Sequence, residues 1–221
     1  MYSLDQIAKL YGTDKSSEIH NYCNYYEKYL PFDREDPIKI LEIGVWNGNS
    51  LLTWKDYYPN SIVVGIDIMN QCLRYANPIK NIWIEIGSQN DINFLRNVVD
   101  KWGSFDMILD DGSHMNEDVI ISFNYLIDYV KNSGVYIVED SCCSYWPEYN
   151  GGFRKESSSV EHFKRMIDDV NFNGQLRENF KFPHARREDY LINQSIRKNL
   201  NIRTDIESIN FLNSLIIITK R

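Results

Sequence analysis

No apolar run in this chain approaches the ~20 residues a helix needs to cross a bilayer, which argues against a membrane protein. The start, Met1-Tyr2-Ser3-Leu4-Asp5-Gln6, has neither the basic segment nor the apolar core of a secretory leader, so a cytoplasmic location is expected. Cysteine is scarce. Cys23, Cys72, Cys142 and Cys143 form no C-x-x-C pair, and adjacent cysteines such as the last two rarely bridge each other, so no disulfide framework is expected. Positive charge is also short: 24 Lys and Arg face 31 Asp and Glu, for a net charge of −7, and no basic stripe remains to follow a phosphate backbone. Nucleic acid is therefore a poor partner. There is no internal repeat or low-complexity stretch. At 221 residues a second independent domain would leave both halves small, so residues 1–221 are expected to form one domain that includes a helical cap segment over residues 1–36.

What the chain does have is a series of short Ile- and Val-rich segments. Ile38 to Ile43, Ile62 to Ile68, Ile82 to Ile86, Phe105 to Asp110 and Val135 to Glu139 read as strands, and their almost unbroken apolar character suits strands covered on both faces. The stretches between them hold helices. Val119, Phe123, Leu126, Ile127 and Val130 recur at helical intervals; Asn116 is placed to cap that helix and Gly134 to follow its end. Asp91 to Trp102 predicts a second helix, and Leu4 to Leu10 and Tyr22 to Leu30 two more before the first strand. Near the end, Ile206 to Phe211 and Leu215 to Thr219 are too close for a parallel crossover and predict an antiparallel hairpin. Ser141 to Lys155 mixes Pro147, Gly151 and Gly152 with Tyr145, Trp146, Tyr149 and Phe153; a substrate lid and an irregular, packed crossover fit it equally well.

Two of the strands end in carboxylates. Ile108-Leu109-Asp110-Asp111-Gly112-Ser113-His114 adds a histidine to its acid pair, and Val138-Glu139-Asp140 closes the next strand. Crowded carboxylates repel one another unless a cation or protons compensate, so the pattern points to a metal-assisted site with His114 within reach. His20, His162 and His184 have no comparable context, and Cys142 and Cys143 are poor partners for a hard oxygen-liganded ion. Upstream, the first strand runs into Gly44-Val45-Trp46-Asn47-Gly48, and Ser50 can open a helix, which lets a ligand approach backbone amides. The turn is not the G-x-G-x-x-G of dinucleotide enzymes and suits a smaller nucleoside. Asp67, ending the second strand, is placed to accept ribose hydroxyls, and Glu42 to face an ammonium.

With Glu42-Ile43-Gly44-Val45-Trp46-Asn47-Gly48 in this form, the sequence resembles the class I S-adenosylmethionine-dependent methyltransferases. Tyr11-Gly12-Thr13-Asp14-Lys15, Asp110-Asp111-Gly112-Ser113-His114 and Glu139-Asp140, in that order, narrow the resemblance to the magnesium-dependent macrocin- and mycinamicin-type sugar O-methyltransferases. It implies a Rossmann-like, mostly parallel seven-stranded sheet with an antiparallel C-terminal hairpin and helices on both faces. It also implies S-adenosylmethionine and Mg²⁺ as cofactors. Cofactor contacts are carried over to Thr13, Lys15, Glu42, Gly44, Asn47, Gly48, Ser50, Asp67, Ile68, Gln89, Asp91 and Asp110, with Gln89 and Asp91 as adenine candidates. Metal ligation falls to Asp111, Glu139 and Asp140, and catalysis to His114, as general base, with Asp111. The acceptor is a sugar hydroxyl of a saccharide or glycosylated small molecule; a homo-oligomer is compatible with the resemblance.

Each of these residues has a plainer role open to it. Gly44 and Gly48 can serve a tight turn, Asp91 can cap a helix, Asp110 and Asp111 can fix a loop, and Thr13 to Lys15 can be a polar turn between helices. Tyr22, Tyr25 and Tyr26 can stack on a sugar, although their helical spacing suits core packing better. A catechol-type O-methyltransferase and a non-catalytic S-adenosylmethionine-binding accessory protein are the competing functions.

Overall fold

The computed structural model describes residues 2–175, 203 and 205–221. Seven strands, β1 Lys39–Ile43, β2 Ile62–Asp67, β3 Ile82–Ile86, β4 Phe105–Asp110, β5 Val130–Val138, β6 Ile206–Leu212 and β7 Leu215–Lys220, form one sheet in the order β3-β2-β1-β4-β5-β7-β6. The first five are parallel. β7 runs antiparallel to both β5 and β6, as the short C-terminal connection requires. The expected Rossmann-like sheet with its terminal hairpin is what the chain forms.

Alternate residues of each strand supply two cores, one on each face. Leu41 and Ile43 join Leu95 and Val99 of α4 (Ile92–Trp102), Phe123 and Leu126 of α5 (Asn116–Leu126) and Phe163 of α6 (Ser159–Arg165). Ile40 and Val63 face the other way, onto Leu4 of α1 (Leu4–Tyr11), Tyr22 and Tyr26 of α2 (Tyr22–Tyr29) and Trp54 of α3 (Asn49–Tyr57). Burial on both faces is the reason the central strands carry so few polar residues. α7 (Ile167–Gln175) follows α6. Among the described residues no helix is long and apolar enough to cross a membrane. His184 lies outside them.

The elements between the strands begin and end for local reasons. Ser3 and Gln6 form a reciprocal capping box on α1, and the chain leaves that helix through left-handed Gly12. Asp91 caps α4 by accepting the amides of Asn93 and Phe94. Two expectations are corrected. Asn116 does not cap α5: it is the first helical residue, and its side chain donates to the Tyr149 carbonyl at 2.8 Å and accepts the Ser159 amide at 2.7 Å. Gly134 does not end that helix either. A short 3-10 turn, Ile127–Tyr129, follows α5, and β5 starts at Val130, with a shift in register against β4 that takes up the exposed residues before Val135.

Ser141 to Lys155 folds as two 3-10 turns, Ser141–Tyr145 and Pro147–Tyr149, tied back by the Asn116 bond to Tyr149, by Ser144 to Ser159, and by the Ser141 amide to Ser214 O. Trp146 and Phe153 stay exposed on it.

Candidate active site

β1 and β4 are neighbours in the sheet, yet the chain proceeds from them in opposite directions, which places the topological switch point between their carboxyl ends. A cavity of about 530 Å³ opens there. Thr13, Lys15, Glu42, Gly44, Asn47, Ser50, Asp67, Ile68, Gln89, Asp111, His114 and Asp140 all line it. Of the residues singled out from sequence, Gly48, Asp91, Asp110 and Glu139 do not.

On the β1–β2 side the backbone itself forms the wall. Gly44 has φ +94°, and a Cβ there would lie 2.1 Å from the Asp111 carbonyl oxygen, so only glycine lets the ends of β1 and β4 come this close. Asp67 accepts the amides of Val45 at 2.9 Å, Trp46 at 3.1 Å and Met69 at 2.8 Å. Burial alone would raise its carboxyl, but those three amides hold it below the ordinary value. Glu42 is fully buried, and among the described residues neither of its oxygens has a hydrogen-bond partner; nor has Ser50 Oγ. The nearest cation, Lys15 Nζ, is 3.7 Å from Glu42 Oε1. Burial pushes the Glu42 carboxyl up to about 7, against the pull of Lys15. A buried carboxylate is costly to ionise, and the Lys15 ammonium at 3.7 Å offsets that cost only in part.

On the β4–β5 side, Asp111, His114 and Asp140 each present a ligand atom, all within 4.8 Å of one another. His114 Nε2 is 3.7 Å from Asp140 Oδ2 and 4.0 Å from Asp111 Oδ1. Trp46, His114 and Asp140, all on the cavity wall, have left-handed backbones with φ of 44°, 56° and 48°. Such conformations persist only where surrounding structure enforces them, and they concentrate at functional sites.

At the cavity wall, Gln89 is tied to the protein's own groups. It donates from Nε2 to Asp110 Oδ1 at 3.0 Å and accepts the Ser113 amide on Oε1 at 2.7 Å. Asp110 is buried and also accepts from Ser122 at 2.6 Å and Tyr136 at 3.2 Å, so it anchors the loop from below. Asp91 is spent on its helix cap. Gly48 lies under the Tyr75 ring. Glu139, expected as a third metal ligand, is buried next to Asp140: Lys15 Nζ donates to its Oε2 at 2.8 Å and the Tyr26 hydroxyl to its Oε1. Lys15 also pairs with Asp111. Burial opposes the charge on Lys15, but Asp111, Glu139 and Glu42 around it hold its pKa well above the ordinary value.

Tyr22 and Tyr26 are buried, as helical spacing suggested, yet their hydroxyls serve the site, Tyr22 donating to Asp140 Oδ1 at 2.6 Å. The sequence signal was only their i, i+4 spacing, which shows a shared helix face and not what that face meets. Trp46 was likewise missed as a wall residue, and so was the Tyr149 ring, which stands 6.2 Å from that of His114 behind the wall.

Sheet order, switch-point cavity and strand-end acids define the class: the chain belongs to the class I S-adenosylmethionine-dependent methyltransferases. Within that class it is similar to sugar O-methyltransferases of the macrocin and mycinamicin type. It is 34% identical over 180 residues to L-olivosyl-oleandolide 3-O-methyltransferase of Streptomyces antibioticus, a match covering 76% of this chain and 46% of that one. It is 34% identical over 177 residues to mycinamicin VI 2''-O-methyltransferase of Micromonospora griseorubida, covering 76% and 44%. The solved structure of the methyltransferase MycE from the mycinamycin pathway, in complex with Mg, SAH and mycinamycin VI, superposes with a TM-score of 0.80 at 25% identity, over 99% of this chain and 53% of that chain. The chain thus spans less than half the length of these curated relatives. No family model matches it.

Proposed function

We propose that this chain, as a single domain, is an S-adenosylmethionine- and Mg²⁺-dependent O-methyltransferase that methylates a sugar hydroxyl of a saccharide or glycosylated natural product. The observation that carries the reading is the convergence of Asp111, His114 and Asp140 on one side of a cavity whose other side holds Glu42, a buried carboxylate with no hydrogen-bond partner among the described residues. Glu42 suits the ammonium of the methionine moiety, Asp67 the ribose hydroxyls, and Gly44 leaves room for close approach along the strand ends. Asp111 and Asp140 are hard oxygen donors and suit Mg²⁺, which typically takes one or two carboxylates and keeps several waters. We assign the ion to Asp111, Asp140 and Glu139, the last held by Lys15 in this structure, and leave His114 Nε2 for the acceptor proton.

When bound, the cofactor supplies an electrophilic sulfonium methyl and Mg²⁺ a Lewis acid that makes an alcohol oxygen easier to deprotonate. The protein's own part is to orient. Asp111 and Asp140 set the hydroxyl's position, His114 takes its proton, and the cavity wall from Gly44 to Asp67 holds the donor in line, a kind of positioning that can account for several kcal/mol of barrier. No covalent enzyme intermediate is needed. Supporting the acceptor class, the relatives are named for methylation of sugar-bearing products, and one solved neighbour carries mycinamycin VI.

The test is calorimetric titration of the purified protein with S-adenosylhomocysteine, with and without Mg²⁺, followed by a screen of glycosides with S-adenosylmethionine. Cofactor binding and Mg²⁺-dependent methylation of a glycoside are expected. Failure to bind the cofactor would remove the methyltransferase reading, and turnover of simple catechols alone would replace the acceptor class.

A further inference from the structure

Of the three non-glycine residues on the cavity wall with left-handed backbones, His114 and Asp140 are of types that tolerate that conformation, and Trp46 is not. Trp46 carries a bulky side chain at φ 44°, a strained arrangement for which glycine is the ordinary choice. Burial does not compensate, because the side chain is 67% exposed. The conformation is imposed through the backbone: the Trp46 amide donates to Asp67 Oδ2 at 3.1 Å, and its carbonyl oxygen lies 3.5 Å from the Cys72 thiol. A large apolar ring that is both strained and left in water weakens the unliganded fold twice over. A ligand that covers the ring removes the second of these penalties.

The surroundings of Trp46 indicate which ligand that is. Asp67, the carboxylate suited to ribose hydroxyls, accepts the Trp46 amide and is followed in the chain by Ile68 and Met69, which are 71% and 38% exposed. All four residues line the cavity. Three exposed apolar side chains around one carboxylate match a nucleoside, which offers hydroxyls at its edge and flat apolar faces beside them. The acceptor side lies elsewhere: His114 and Asp140 follow β4 and β5, whereas Trp46 stands in the turn between β1 and α3 and bonds the end of β2.

We infer that Trp46 is a donor-binding residue whose ring covers the nucleoside part of S-adenosylmethionine, and that the free protein is less stable for carrying it. The inference rests on the methyltransferase reading above and adds to it an aromatic cover in a turn whose other contacts come from backbone and carboxylate.

The experiment compares Trp46→Gly, Trp46→Ala and Trp46→Phe in the full chain, by thermal unfolding without ligand and by calorimetric titration with S-adenosylhomocysteine and S-adenosylmethionine. Glycine removes both the ring and the strain; alanine removes the ring alone. Both variants should bind S-adenosylhomocysteine about 10- to 100-fold more weakly, the range that follows from losing the burial of one large apolar side chain. Trp46→Phe should fall between them and the wild type. S-adenosylmethionine should weaken in the same proportion, because the nucleoside is common to both ligands. Without ligand, Trp46→Gly should melt at or above the wild type and above Trp46→Ala, since glycine alone relaxes the left-handed backbone. Wild-type affinity in Trp46→Gly and Trp46→Ala would overturn the inference. So would a Trp46→Gly protein that melts well below the wild type, which would make the ring a packing element. Weakening confined to S-adenosylmethionine would put the ring at the sulfonium and overturn the nucleoside assignment. If the wild type binds no S-adenosylhomocysteine, the methyltransferase reading itself falls, a result distinct from a wild type that binds it and variants that bind it equally well.

Discussion

Gln89 holds the Ser113 backbone amide on its Oε1, 2.7 Å away, and so fixes from below the loop that carries His114. The fit leaves no slack, because a Cβ on the intervening Gly112 would sit 2.0 Å from that same oxygen. Gln89→Leu removes the acceptor for Ser113 and a donor to buried Asp110. A loss of about 1–3 kcal/mol follows from leaving buried polar groups unpaired, together with slower methyl transfer as His114 loses its placement. Urea unfolding and initial rates measure the two; wild-type values in both would contradict the role.

His114→Ala should lower turnover by roughly 10²- to 10⁴-fold, the usual contribution of a positioned base, while S-adenosylhomocysteine still binds. Calorimetry on the variant separates two roles for the imidazole. Retained Mg²⁺ affinity supports the base; lost Mg²⁺ affinity would make His114 a ligand, and unchanged turnover would exclude it from catalysis.

Gly44→Ala is expected to damage the fold and not only the cofactor wall. Its φ of +94° disfavours any side chain, and the added methyl would meet the Asp111 carbonyl at 2.1 Å. Backbone strain costs about 1–3 kcal/mol and overpacking about as much again. A wild-type urea midpoint for this variant would show that the strand ends can separate freely.

His162 is removed from the site, and its effect should appear in stability alone. Its ring meets Phe123 and Phe163 edge-on, and among the described residues its buried Nε2 has no partner. Burial, with Arg165 nearby, holds its pKa below the ordinary value. Between the lowered folded value and about 6.5 in the unfolded chain, the unfolded state binds the extra proton. Stability is therefore full above that upper limit and declines as pH falls through the folded value. Unfolding midpoints at pH 7 and pH 5 should differ less in His162→Leu than in the wild type; an equal difference would remove His162 as the cause.

Sequence alone determined the sheet and most of the site's inventory. Apolar strands that end in acids or glycine carry their position with them, because in an open parallel sheet the strand ends share one edge. Glu42, Gly44, Asp67, Asp111, His114 and Asp140 could therefore be assigned to one crevice before any contact was known. The hairpin was legible for a similar reason, since three residues cannot make a crossover.

Tertiary structure decided how those groups divide the work. Whether Glu139 points to the cavity or to Lys15, whether Gln89 reads a ligand or holds Ser113, and whether Asn116 caps its helix or pins Tyr149 all depend on what lies opposite. Those partners come from far along the chain: Lys15 and Glu139 are 124 residues apart, Tyr22 and Asp140 are 118. Periodicity reports which face of a helix or strand is buried, but not which polar atom waits across the interface. A buried donor or acceptor takes whichever partner the packed fold brings within about 3 Å, because leaving it unpaired costs more than a local alternative provides.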